Sequence, residues 1–285
     1  MTIPSSGPIS FSQINAELRR GTTASYSLNE SKVRILASVG FTGVQTNNNT
    51  RIPFSSLRGH TWAETTITGD TLNYVYSSPT PGKTYGVLTI NAGVRIGSST
   101  PATAALIVQG GNGDSLVIVN NGKILGAGGA GGQYGGGGGG NGGDAINLQG
   151  QGIFCDLQNT NGVIGGGGGG GAGGPGRMDN QRSQPTYING VSGGTGAGYV
   201  PGAAGAVSGQ YYGHVDGGIG QSGGSDGNQF AGGSAGYIDY YGPNSFGQRG
   251  GTLGETISGA GGRSIVNISR LVSYAIGGTT YGATV

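Results

Sequence analysis

Side chains able to do chemistry are few in this chain, and they are scattered. Two histidines, His60 and His214, lie far apart, and only Asp216 stands at ligand spacing from either, which argues against a metal centre. The carboxylates Asp179, Asp216, Asp226, Asp239 and Glu255 sit singly in separate segments, whereas glycoside hydrolysis needs a pair flanking one bond. Gly82-Lys83-Thr84 ends like a phosphate-binding loop, but Ser77 stands where the first glycine belongs, and a strand pattern follows where a helix is required. Gly232-Gly-Ser234-Ala-Gly236 spells a nucleophile elbow inside a stretch so rich in glycine that the match carries no weight. Cys155, the only cysteine, follows Ile153 and Phe154 in the setting of a buried thiol, and alone it makes no internal disulfide, zinc cluster or redox pair. The expectation is a protein without catalytic residues, metal or cofactor.

A chemistry of contact is concentrated after residue 175. Tyr187, Tyr199, Tyr211, Tyr212, Phe230, Tyr237, Tyr240, Tyr241 and Phe246 lie in short inserts among Ser, Asn, Gln and Gly. Rigid amphipathic rings supply contact area at low entropic cost and small polar residues supply adaptable hydrogen bonds, as in antibody paratopes. Such rings stack on sugars and on apolar side chains alike. Any single tyrosine could equally cap a folded element and pack on its neighbours. Nine aromatics gathered in turns point instead to a binding surface.

The elements that must hold these inserts are unusual. Glycine fills 69 of 285 positions, is ordinary before about residue 85, and then runs in blocks such as 135–140 and 165–171. Glycine loses the most backbone entropy on folding and buries no side chain, so this composition ordinarily means a disordered linker. Here apolar runs at 116–119 and 265–268 recur between the blocks, as if the glycines were placed inside a folded object. With 34% hydrophobic and 9% charged residues, that object must rest heavily on backbone hydrogen bonds. The net charge of +2 is uneven: residues 1–60 carry Arg19, Arg20, Lys32, Arg34, Arg51 and Arg58 against Glu17 and Glu30, leaving the remainder acidic. That asymmetry fits a leading module docked on a partner or a solvated basic face. No basic stripe with interleaved aromatics appears, so nucleic acid is not expected.

Residues 1–60 read as a small mixed module. Helical spacing of apolar residues occurs at 12–20 and 27–37, and the segments 9–14 and 52–57 resemble each other like two hooks around a polar loop at 40–49. Residues 61–125 read as a β-rich neck, with strand patterns at 65–68, 72–76, 87–90, 105–108 and 116–119. Gly93-Val-Arg-Ile-Gly97, Asn121-Gly-Lys-Ile-Leu-Gly126 and Asn161-Gly-Val-Ile-Gly-Gly166 share a core at separations of about thirty and forty residues, which suggests stacked layers with strands feeding glycine runs. From 126 to 285 glycine tracts alternate with excursions. Ala127 and Ala130, then Asn141 and Asp144, recur every third position, the period of a polyproline-II-like helix. Glycine at the other positions lets such helices pack side by side through their amides. The expectation is a polyglycine-II bundle with almost no side-chain core. Collagen would need glycine at strictly every third residue with abundant proline.

The stretches 88–97, 117–132 and 158–167 resemble the glycine-rich distal segments of tailed-bacteriophage tail-fibre and tail-tip proteins, and the opening Ser6-Gly-Pro-Ile-Ser-Phe-Ser-Gln-Ile-Asn-Ala-Glu-Leu18 is similar to a leader of phage virion proteins. The glycine part also resembles the adhesins that cap long tail fibres of T-even-like phages. That resemblance implies a mostly β and irregular fold: an anchoring module, a β-strand neck and a polyglycine-II bundle with distal loops. It implies anchoring to another tail or fibre protein through residues 1–60, for which Phe11, Ile14, Leu18, Arg19, Arg20, Phe54, Leu57 and Arg58 are the candidates. The aromatic loops would then meet a host cell-surface receptor, an outer-membrane protein loop or lipopolysaccharide. Fibre symmetry makes a homotrimer natural. The start lacks the regions of a secretory signal, so synthesis in the host cytoplasm and incorporation into the virion are expected. The alternatives are a structural virion component that never touches the host, and an ice-binding protein, which the irregular inserts disfavour.

Overall fold

In the computed structural model, residues 2–21, 23–25, 27–28, 30–39, 52–133, 137–149, 152–173, 177–179, 186–188, 196–200, 202, 237–238, 245–246, 252, 255–256 and 259–285 are described. The leading module holds helices α1 (Phe11–Glu17) and α2 (Ser31–Ser38) and a 3-10 turn at Phe54–Leu57. The first helix starts at a reciprocal cap: Gln13 N–H donates to Ser10 Oγ (3.3 Å) and Ser10 N–H to Gln13 Oε1 (2.8 Å). Helices this short do not stand alone in water. They hold because Ile3, Ile14, Leu18, Val33, Leu36, Ala37, Ile52, Leu57 and Trp62 bury one another. Both hooks seen in sequence contribute to this core, the first through Ile14 and the second through Ile52 and Leu57.

Beyond the module the chain winds as a parallel solenoid. The first coil is β1 (Thr61–Ile67), β2 (Thr71–Leu72) and β3 (Tyr74–Ser77), and the second is β4 (Thr84–Ile90), β5 (Arg95–Gly97) and β6 (Leu106–Gln109). The third is β7 (Ser115–Asn120), β8 (Lys123–Leu125) and β9 (Ile146–Leu148). The fourth opens with β10 (Phe154–Asn159) and β11 (Val163–Gly165) and passes through two strand pairs, β12 (Arg177–Asp179) with β13 (Thr186–Ile188) and β14 (Tyr237–Ile238) with β15 (Ser245–Phe246). It closes at β16 (Ile265–Val266), and the fifth coil is β17 (Leu271–Ile276) and β18 (Thr279–Tyr281). Corresponding strands stack into three parallel sheets: β1-β4-β7-β10-β17, β2-β5-β8-β11-β18 and β3-β6-β9-β16.

Alternation explains the winding. Along β4 and β7 every second residue is buried, and the inward residues stack from coil to coil: Leu88, Ile118 and Leu157; Ile96, Ile124 and Ile164; Leu106, Ile146 and Ile265. Cys155 takes its place in this core, where burial pushes its thiol up to about 12 and keeps it protonated. The repeats seen in sequence are successive coils at one corner. There the buried Asn120 amide donates to Asn159 Oδ1 (2.8 Å), and a β-carbon on Gly122 or Gly162 would strike the polar groups of the turn below. The neck therefore does not end at residue 125. Strands β9, β10, β11, β16, β17 and β18 continue its sheets, and the solenoid supplies the side-chain core that the sequence reading withheld from residues 126–285.

All the glycine tracts leave from a second corner, between the β2-containing and β3-containing sheets. Residue 73 alone turns it in the first coil, then 98–105, 126–145 and finally 166–264. Gly126, Gly129 and Gly132 N–H donate to the carbonyls of Gly165, Gly168 and Gly171, each at 2.8 Å. Gly167, Gly168 and Gly169 donate in turn to three different neighbours, Gly143, Ala197 and Glu255, and Gly170 returns to the first of these strands at Gly140. The tracts therefore repeat every three residues and bond laterally on all sides. Their spacing is the reason for glycine: a β-carbon on Gly167, Gly169, Gly170 or Gly196 would fall onto the carbonyl of Ala127, Gly259, Ala130 or Gly168. At the margin side chains close the lattice. Asn141 Oδ1 accepts from Ala260 N–H (2.9 Å), and Asp144 accepts from Arg263 N–H (2.8 Å) while its carboxylate pairs with the Arg263 guanidinium.

Gly170→Ala should cost about 1–3 kcal/mol, the usual range for overpacking. Gly69→Ala, where a β-carbon meets nothing within 4 Å, should stay near neutral. Chemical denaturation of the two variants checks this.

Candidate functional site

The tracts fix where each aromatic insert emerges. The hairpin β12–β13 lies in the connection between the tract that ends near Gly173 and the one that returns at Gly196, and β14–β15 lies in the connection from Gly202 to the returning tract at 259–263. Met178 and Tyr187 are register partners in the first strand pair, and Tyr237 and Phe246 are register partners in the second. Tyr211, Tyr212, Phe230, Tyr240 and Tyr241 lie outside the described residues.

Tyr199 goes elsewhere. It sits at a turn against the solenoid, where its N–H donates to Gly126 O (2.9 Å) and its half-buried ring covers Gly97. The Arg95 guanidinium stands 5.6 Å from the ring centroid. The sequence placed Tyr199 with the other aromatics because composition does not reveal which end of a tract a turn occupies.

The leading module divides the anchoring candidates in two. Ile14, Leu18 and Leu57 are buried in its core and shape the module from within. Phe11 is 52% exposed and meets Phe54 edge-on, 5.4 Å between centroids. Arg20 pairs with Glu30, the Arg19 guanidinium donates to Glu64 O (3.2 Å), and half-buried Arg58 accepts at its carbonyl from Lys83 Nζ (3.2 Å).

Sequence reasoning missed the residues that join module to solenoid. Trp62 stacks on Tyr85 (4.7 Å between centroids), Lys32 lies 5.0 Å above the indole, and Trp62 Nε1 donates to Glu64 Oε1 (2.7 Å). The available signal was the sole tryptophan, two positions from a carboxylate at the head of a strand pattern. Glu17 at the end of α1 accepts from the outward-pointing Trp62 N–H (2.7 Å), and burial raises its pKa against the opposing effect of that bond. The first strand thus has part of its open edge occupied by the module. His60 is buried beside it with Nδ1 2.7 Å from Leu36 O, and burial holds its pKa below the usual range.

Among the described residues no group of three or more His, Cys, Asp or Glu is placed to hold a metal ion. What the molecule presents is a solenoid, a glycine lattice built on one of its corners, and aromatic-bearing hairpins in the connections of that lattice. That is the build of a display protein. The profile of the phage tail fibre adhesin Gp38 family matches residues 60–285, and the chain belongs to that family. Its fold is similar to that in the crystal structure of the gp37-gp38 adhesin tip complex of the bacteriophage S16 long tail fiber, with a TM-score of 0.56 and 22% identity over 99% of this chain and 100% of that one. No curated protein sequence matches the chain.

A lowered folded pKa means that neutral His60 stabilises the junction above the ordinary 6.5 and that this contribution is lost as pH falls below it. Glu17 acts in the opposite sense, favouring the fold at lower pH, so the Glu17→Gln variant removes that opposing contribution. In that variant the thermal midpoint followed by Trp62 fluorescence should already fall on acidification just below 6.5, before the carboxylates of Glu30, Glu64 and Asp70, all held below their ordinary pKa, begin to titrate.

Proposed function

We propose that the protein is the receptor-binding tip of a phage tail fibre, carried in the virion, and that it acts by binding without catalysis. The glycine tracts are polyglycine-II helices in this reading, which their three-residue repeat and lateral amide bonds support. The observation that carries the proposal is the common origin of the tracts. Leaving one corner and returning to it, they carry the chain out as far as Gly173 and bring it back at Gly196 and Gly259, and Tyr187, Tyr237 and Phe246 belong to strand pairs that lie between those points along the chain. A surface of that kind suits an outer-membrane protein loop or a lipopolysaccharide sugar.

Residues 1–60 are the attachment module, with the Phe11–Phe54 pair as its exposed apolar contact. The S16 protein of similar fold was crystallised as a gp37-gp38 complex, which supports a second fibre protein as the partner here. The described lattice bonds are made within one chain, so three-fold association would arise at the module and the fibre end.

Tyr237→Ala with Phe246→Ala should abolish binding of the protein to host cells while leaving incorporation into fibres intact. Phe11→Ala with Phe54→Ala should do the reverse. If both pairs bind cells normally and only fibre incorporation responds, the protein is a structural component of the fibre.

A further inference from the structure

A glycine lattice has a register problem. Backbone amides alone do not distinguish a tract from the same tract slipped by one three-residue repeat, and register is weakly specified wherever side chains do not read it. For the tract at 259–263 the answer is Asn141 and Asp144, which bind the N–H groups of Ala260 and Arg263. The segment 196–202 has a different device. It comes in along the lattice with Gly196 N–H on Gly129 O (2.8 Å) and Gly168 N–H on Ala197 O (2.7 Å), turns at Tyr199, and leaves with Gly128 N–H on Val200 O (2.8 Å). At the turn the tyrosine ring enters a seat made by the absence of a side chain: a β-carbon on Gly97 would lie within the ring. Leu125, the register partner of Gly97 on the next coil, lies in the same buried cluster, and Arg95 flanks the ring, its guanidinium held by Asp70 with Nε 2.7 Å from Oδ2.

We propose that Tyr199 is a positioning residue, a peg seated over Gly97 that fixes the register of the two tracts carrying the inserts 174–195 and 203–251. The proposal rests on the reading of those inserts as the receptor-binding surface, and it removes Tyr199 itself from that surface. The ring provides the fit and the hydroxyl is dispensable. Tyr199→Phe should therefore match the wild type, whereas Tyr199→Ala and Gly97→Ala, which empty or fill the seat, should behave alike.

The test uses the full-length chain in two arms. In hydrogen exchange, Tyr199→Ala and Gly97→Ala should speed the amides of Gly128, Gly168 and Gly196 by about tenfold or more, with the solenoid amides of β4 and β7 unchanged. On whole Gram-negative cells that bind the wild type, the same two variants should bind about tenfold more weakly, with Tyr199→Phe unaffected. Unchanged exchange in Tyr199→Ala would overturn the proposal. So would loss of cell binding in Tyr199→Phe with exchange intact, which would make the hydroxyl a receptor contact. If the wild type binds no cell, the adhesin reading falls while the exchange arm still decides the role of Tyr199.

Discussion

The lateral approach of one backbone to another, closer than any β-carbon permits, is the constraint on which this molecule is built. Once tracts are this close, N–H groups such as those of Gly126, Gly129, Gly167 and Gly170 find carbonyls on neighbouring tracts, and backbone groups satisfy one another without a sheet or a helix of the ordinary kind. The same closeness removes the side chains that normally tell a chain where to sit. The solenoid supplies that information. Gly126 N–H bonds to Gly165 O one step beyond the last rung of β8 and β11, so the lattice begins as the continuation of a conventional ladder. A hydrophobic core of stacked Ile and Leu holds the template, and the template sets the first row of glycines.

Two stabilising regimes therefore meet at one corner. In the solenoid, burial of apolar area dominates and each inward residue is read by the coils above and below. In the lattice, backbone bonds dominate and only the space at each position is read. Side chains return where that reading fails, as Asn141 and Asp144 at the margin. The module adds a different closure, with Glu17 and Arg19 bonded to backbone groups of β1.

Much of this was legible in the sequence, and the limits have physical causes. The alternating strands at 87–90 and 116–119 and the corner repeats around Gly93, Gly122 and Gly162 carry local signals and took the predicted form, and the first helix, expected within 12–20, runs from Phe11 to Glu17 behind a Ser10 cap. Strand β9 did not show itself, and β16 showed only as part of the apolar run at 265–268. Each has two or three residues in a glycine background, and each exists only because a distant coil offers a ladder. That hid the continuation of the solenoid past residue 125 and made a neck of what is a spine. Ile14, Leu18 and Leu57 were grouped with exposed Phe11 because apolar spacing gives a face without saying whether another element already covers it. Tyr199 shares its composition with the other aromatics and differs only in the end of the tract where it falls.

The return to the same neighbour after three residues, as at Gly126, Gly129 and Gly132 or at Gly167, Gly170 and Gly173, gives the lattice a unit of growth. An insertion in an outgoing tract preserves its bonds when it comes in threes and is matched in the returning one, each unit lengthening the tract by one repeat. Other lengths rotate every amide beyond them toward the wrong neighbour. Reach is therefore a counted quantity in this architecture, changed in whole steps while the tip and the spine remain as they are.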